Sequence, residues 1–412
     1  MLNPLVHNPR SLPSRSRLSA LALLILVTAL PACVAEPDYR LTAAARQGHF
    51  GAARLDGARR LKPPTAGEGG YDRNYLLDRM RLAVLTIEDG YTVEADAIVQ
   101  QVYDLLTKQG LNADKTVSSV VINEDLKIWK GEPFEQAVML HYIASHWAAQ
   151  GSWDNARAAI GRSLFHLRDV TAGGERIDAR AVLRDAYRAE RARNGDAFDV
   201  PPDLGYVTRK SNFALGYLMT GLANTQLAVQ TGDSNRFNEA HDNFREAADI
   251  DESLGPLADR LRDHATYNTV LIVNYGLAPR KTATGPDGAI LEYVPLTPSD
   301  NRPLLVRASN GEQSTVPVAC DLNRMSFDHR WNALEETRVV KSGVGDALVV
   351  GGLGTTAIGA DSGSEAVAIA GAAMILAGMI AKGGAHADTR YCEVLPQRVY
   401  IVPEKVDSRD TR

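Results

Sequence analysis

The chain has 412 residues, 45% of them hydrophobic and 23% charged, with 45 Lys and Arg against 50 Asp and Glu. This is the composition of a folded protein of two or three domains, and it excludes a disordered tail protein and a disulfide-stapled miniprotein. The first 32 residues hold Arg10, Arg15 and Arg17 and no acid. The other 380 carry 42 basic and 50 acidic side chains, and so have no sequence-wide attraction for nucleic-acid phosphates or anionic lipid.

The basic, proline-broken stretch Met1 to Arg17 precedes an apolar run from Leu18 to Leu30 and then Pro31-Ala32-Cys33. The run is shorter than the roughly 20 residues a spanning helix needs, so residues 1–32 read as a signal peptide. Leu30-Pro31-Ala32-Cys33 resembles a bacterial lipobox, which implies that Cys33 is acylated and becomes the mature N-terminus. Two or three acyl chains anchor a protein far more firmly than one, at about 0.8 kcal/mol per buried methylene. Val34 stands where Gram-negative lipoproteins kept in the inner membrane have aspartate. The resemblance therefore implies the periplasmic face of the outer membrane.

Residues 33–70 read as a tether with a degenerate helical pair, and 71–265 as a helical repeat domain. One pattern recurs: a small residue, a glycine seven later, an alanine five later, then residues four and seven beyond that. Ala144, Gly151, Ala156, Ile160 and Ser163 form the clearest copy, and Ala83, Gly90, Ala95, Val99 and Val102 repeat it without a gap. Gly232, Ala240, Phe244 and Ala247 give a third copy with three residues inserted, expected in the turn; Leu41, Gly48 and Ala53 give a degenerate fourth. The spacing resembles tetratricopeptide (TPR) helix pairs. Glycine ends the first helix, alanine lets the second approach closely, and stacked pairs leave a groove lined by the first helices. On the Ala144 copy, His141, Tyr142 and Ser145 are the expected partner-contacting set, although solvation is the ordinary role of polar flank residues. Breaker-rich segments at 62–70 and 194–203 interrupt the array, and the charged insert 178–193 reads as a solvated helix.

From about residue 266 to 412 the pattern turns β-rich. Thr269 to Tyr275, Ala289 to Val294, Leu304 to Ala308, Thr315 to Ala319 and a last strand Arg398 to Val402 are separated by Gly, Pro and Asn-Gly turns, which predicts a small, mostly antiparallel unit. Gly343 to Ala381 is apolar and rich in Gly and Ala, each uncharged stretch being shorter than a membrane span. It predicts a helical hairpin, buried or lying on a membrane surface rather than inserted. The predicted fold class is therefore α+β: TPR-like helical repeats followed by a small β-rich domain that carries this hairpin.

Gly276-Leu277-Ala278-Pro279-Arg280-Lys281, Ala387-Asp388-Thr389-Arg390-Tyr391 with Leu395-Pro396, and Gly131-Glu132-Pro133-Phe134-Glu135 leading into His141-Tyr142 carry a wider likeness. They are similar to a poorly characterised group of bacterial TPR-containing envelope lipoproteins. The resemblance implies a fold, an address and work near cell-wall assembly, and it brings no catalytic residues. It departs at Cys392, where a large aromatic residue is expected. Read mechanically, Gly276 permits a tight turn and Pro279 blocks further strand pairing. Arg280, Lys281, Asp388 and Arg390 then form an ion-paired seam between the first and last strands, with anion binding as the alternative.

Familiar chemistry is not signalled. Val349 to Ala357 contains G-x-G-x-x-A without a βαβ unit or an acidic ribose ligand, and Gly276 to Thr282 lacks the glycine a P-loop needs before its lysine. His141 and His146 are five apart, off the i, i+4 geometry that shares a metal, and Asp263-His264 and Asp328-His329 have no assigned nucleophile. Cys320 and Cys392 remain once Cys33 is acylated, and the sequence leaves open a disulfide or two buried thiols. The expected function is a lipid-anchored periplasmic scaffold, not an enzyme, without metal or cofactor, whose repeats bind an envelope protein. Membrane association and oligomerisation through 343–381, or a hydrolase with an unrecognised site, are the alternatives.

Overall fold

The computed structural model describes residues 39–64, 71–108, 128–167, 171–172, 175–176, 211–284, 290–296, 304–307, 313–326 and 387–406, with short pieces between 349 and 375. Cys33 and the signal segment, the insert 178–193, Asp328-His329 and most of the 343–381 hairpin lie outside the described residues. Residues 37–412 form one compact unit of mixed helix and small antiparallel sheets.

Among the described residues, eight helices fall into four consecutive pairs: α1 (Tyr39–Arg46) with α2 (Phe50–Arg60), α3 (Tyr75–Glu88) with α4 (Thr92–Thr107), α5 (Pro133–Ala149) with α6 (Trp153–His166), and α7 (Ala214–Thr231) with α8 (Ser234–Ile250). Each pair turns on a glycine in the left-handed region: Gly48, Gly90, Gly151 and Gly232, with φ between 72° and 81°. One residue then leads into the second helix. In the first three turns the next amide bonds back five residues, as in Ser152 N–H to the Trp147 carbonyl at 2.8 Å, the Schellman arrangement. In the fourth, Gly232 N–H bonds the Ala228 carbonyl at 2.8 Å. The turn there is no longer than the others, so the three extra residues of the third copy belong to α8, not to the turn. Nearly one helical turn of added length returns Ala240, Phe244 and Ala247 toward the face they would otherwise occupy, and all three are buried.

Neighbouring pairs stack in chain order: α2 on α3, α4 on α5, α6 on α7, and α8 on a short final helix α9 (Gly255–Arg262). The second helices keep a polar outer face, whereas α5 and α7 are buried nearly all round. Something other than their partner helices must cover them.

Over α5 that cover is the C-terminal third, whose Lys281, Tyr293 and Cys392 all meet it, whereas α7 packs against α5, α6 and α8. Strand β1 (Thr269–Tyr275) is followed by the hairpin β2 (Arg280–Thr284) and β3 (Ile290–Val294), then by the hairpin β4 (Leu304–Arg307) and β5 (Gln313–Val316). Next come the two-residue strand β6 (Cys320–Asp321), the short helix α10 (Leu322–Ser326), and β7 (Arg398–Glu404). The predicted strands are present within two or three residues at each end. Pro279 does not end pairing: β2 starts at the next residue, because a proline lacks an amide only at its own position.

The last strand lies in the middle of its sheet, in the order β1, β7, β6, with Ile272 opposite Ile401 and Cys320 opposite Val399. One face, with Val270, Ile272, Val399 and Ile401, joins the helical core. On the other, Val273, Tyr400 and Val402 pack against Leu304, Val306 and Val316 of the β4–β5 hairpin. Pro403 fits because β6 reaches only as far as Val399. Every residue from Arg390 to Pro403 is buried, so this terminal segment runs through the interior.

Candidate functional site

Where residues 387–398 cross α3, α5 and β2, the interior is densely polar. Its centre is Glu135, set in the first turn of α5 by a capping box with Glu132 and by Pro133 at the helix start. Gly131, at φ 81°, has Trp129 and Glu135 within 3.2 Å of where a Cβ would stand, so this approach to α5 requires glycine. The Glu135 carboxylate accepts from the Glu132 amide at 2.9 Å, the Cys392 amide at 3.0 Å and Lys281 Nζ at 2.6 Å. One side chain thus ties together a helix start, the terminal segment and β2.

Lys281 is also 3.6 Å from Glu132 and lies over the Trp129 ring. Burial disfavours its charge, but Glu135 and then Glu132 more than offset this and hold the ammonium protonated well above its usual range. The Trp129 indole N–H donates to the Arg390 carbonyl at 2.9 Å. Arg390 itself is bidentate to Asp388, at 2.9 and 2.7 Å, and reaches the Arg73 carbonyl at 3.0 Å. At Asp388 burial opposes ionisation, yet Arg390 and, more weakly, Lys281 bring the carboxyl below its usual range.

A second crossing lies one helix over. Arg81 of α3 meets Glu393 at 2.8 Å and Asp78 at 3.2 Å, and burial of the guanidinium is overcome by these acids, raising its pKa. Further along α3, Glu88 accepts from Tyr142 Oη at 2.7 Å and from the Asn274 amide of β1 at 2.9 Å. Burial, then Glu88, pushes the Tyr142 phenol well up. His141, on the same turn of α5, is held neutral by burial, its pKa lowered to about 3.

These contacts revise the sequence expectations. His141 and Tyr142 do not line an open groove: they are 1% and 3% exposed, because the β unit and the terminal segment fill the inner side of α5. Ser145 stays half-buried and bonds the His141 carbonyl at 2.8 Å. The seam of Arg280, Lys281, Asp388 and Arg390 is not a seam of first and last strands. Lys281 pairs with α5 and Asp388 with Arg390, while the Arg280 Nε has no hydrogen-bond partner. Cys320 and Cys392 are free, buried thiols with pKa values raised by burial. Cys392 is completely enclosed where an aromatic residue was expected, its amide serving Glu135.

Glu88, Arg81, Trp129, Asn274 and Glu393 escaped the sequence reading, although one signal pointed to the region. Phe134, Val138, Met139, Leu140, Ile143 and Trp147 leave α5 without a polar face, the mark of a helix covered on both sides. Chemically, the arrangement neutralises buried charge: the carboxylates of Glu135 and Glu393 are each matched by a cation, and both thiols stay protonated and unreactive. Among the described residues no group of His, Cys, Asp and Glu is placed to hold a metal ion. No protein-family model matches the chain, and no curated protein and no solved structure matches it.

Proposed function

We propose that the chain is a lipid-anchored periplasmic scaffold, attached through Cys33 at the outer membrane, whose TPR-like pairs bind an envelope protein. The observation that carries this reading is the common turn of the four stacked helix pairs, since arrays of this kind are chiefly binding surfaces. The filled inner side directs the partner to the outer helices α2, α4, α6 and α8. The resemblance to TPR-containing envelope lipoproteins favours a role near cell-wall or outer-membrane assembly.

Photo-crosslinking residues at Val93 on α4 and Phe165 on α6, both exposed, test the assignment in cells, with Tyr142 as the buried control. One dominant envelope protein captured from the outer positions and absent from the control is the expected result. Capture from neither outer position removes the scaffold reading.

A second reading has its own observation. Val350, Leu353 and Ile369, in helical pieces of the Gly-rich segment, are all more than half exposed, which favours contact of 343–381 with a membrane surface or a second copy. Among the described residues no helix is long and apolar enough to cross a membrane. Recovery of the Cys33→Ser protein as a monomer in the soluble fraction, without carbonate, removes this reading.

A further inference from the structure

The acidic balance of the chain conceals a local reversal. Residues 39–62, which hold α1 and α2, contain Arg40, Arg46, Arg54, Arg59, Arg60 and Lys62 against a single acid, Asp56. From residue 63 to the end, 36 basic residues face 47 acidic ones. The basic cluster is thus confined to the first helix pair, the end of the array nearest in sequence to Cys33.

Ion pairing inside the fold uses part of this charge. Arg54 pairs with Asp89 at 2.7 Å, Arg60 with Asp56 at 2.8 Å, and Lys62 with Asp72 at 3.0 Å. With Asp56 engaged, α1 and α2 present no unmatched acid. Arg46 and Arg59 are exposed and have no carboxylate partner among the described residues; Arg46 meets only the Leu296 carbonyl, at 3.0 Å. Leu55 is 54% exposed and lies one turn before Arg59 on the same face of α2, so an apolar side chain accompanies the charge.

We propose that the α1–α2 pair docks on an anionic phospholipid surface. Five residues lie between Cys33 and Tyr39, and the six Cα-to-Cα steps reach about 20 Å when fully extended. A lipid on Cys33 therefore holds these helices close to the headgroups, and the unmatched arginines are the complementary charge. The consequence is orientational: the basic pair faces the membrane and the acidic remainder of the array points away from it. The placement rests on the anchor proposed above, but the affinity does not, so the two are tested apart.

The test is flotation of the mature chain carrying Cys33→Ser with vesicles of zwitterionic lipid alone or with about a third anionic phospholipid, at low and at near-physiological salt. Binding to the anionic vesicles only, weakened by salt, is expected. Each arginine near such a surface is worth about fivefold in partitioning, so Arg46→Gln with Arg59→Gln lowers it about 25-fold. Arg245→Gln, on the exposed face of α8, leaves it unchanged. Equal binding to both vesicles, no binding at low salt, or binding indifferent to the double substitution each overturns the proposal. Inorganic phosphate at the same charge concentration does not compete if the surface is what binds, and full competition points to an isolated phosphate site and also overturns it. Failure of the anchor is read separately, as the absence of an acyl mass on the wild-type protein.

Discussion

The crossing at Glu135 and the α7–α8 pair are both interior contacts, and they hold by opposite means. Around Glu135, groups 146 and 257 residues away along the chain converge through charge-assisted hydrogen bonds. Between α7 and α8, residues a few turns apart are held by shape: a Cβ on Gly221 would fall 2.4 Å from the Phe244 ring, which is itself completely buried. In the first contact the matched charge of Lys281 and Glu135 is what should be hardest to replace. In the second an added atom forces the Phe244 ring to shift.

The largest test of this contrast is Lys281→Met, which leaves the Glu135 carboxylate buried without its cation. A loss of about 3–5 kcal/mol is expected in denaturant unfolding. Adding Glu135→Gln, which removes the charge but keeps an acceptor for only one of the two amides, since they bond different carboxylate oxygens, should recover part of it. If the double variant is as unstable as the single one, charge is not what matters at this crossing. Gly221→Ala comes next, at about 1–3 kcal/mol from overpacking, and Phe244→Leu in the same chain should relieve part of that cost.

A smaller effect separates the regions by pH. His141 stays neutral in the folded protein down to about pH 3, whereas in the unfolded chain it gains a proton near 6.5. The unfolded state therefore binds the extra proton as pH falls, and stability declines between those two values at about 1.4 kcal/mol per pH unit. The gap between wild type and His141→Met, measured as unfolding midpoints at pH 7, 6 and 5, should shift in favour of the variant as pH falls. A constant gap would mean that the histidine charges within the fold. Smallest is Gly151→Ala, about 1 kcal/mol, because the added methyl meets nothing within 4 Å and only the left-handed backbone resists it.

What could be read beforehand divides along the same line. The helix pairs are local, so Gly90, Ala95 and Val99 announce their turn and packing by spacing alone, and β1 is legible from Thr269 to Tyr275 because its apolar run is short and bounded by glycine. The Asp388–Arg390 pair, two residues apart, was also within reach. The pairing of Lys281 with Glu135 was not, because a lone lysine in a strand looks the same whether it meets solvent or a carboxylate 146 residues away. The inner groove failed for the same reason. Spacing places His141 and Tyr142 on an inner face but does not reveal that the chain's own end comes to lie there.

The central place of β7 also fixes an order of events during synthesis. A ribosome releases α5 well before Arg390 to Pro403, so its apolar inner side and the Glu135 carboxylate wait while roughly 240 further residues are made before the segment that covers them arrives. The interior is closed only once Arg390 to Pro403 have been made. A chain truncated before Arg390 keeps its helix pairs but leaves the inner side of α5 uncovered, a species for proteases and chaperones rather than a shortened but working protein.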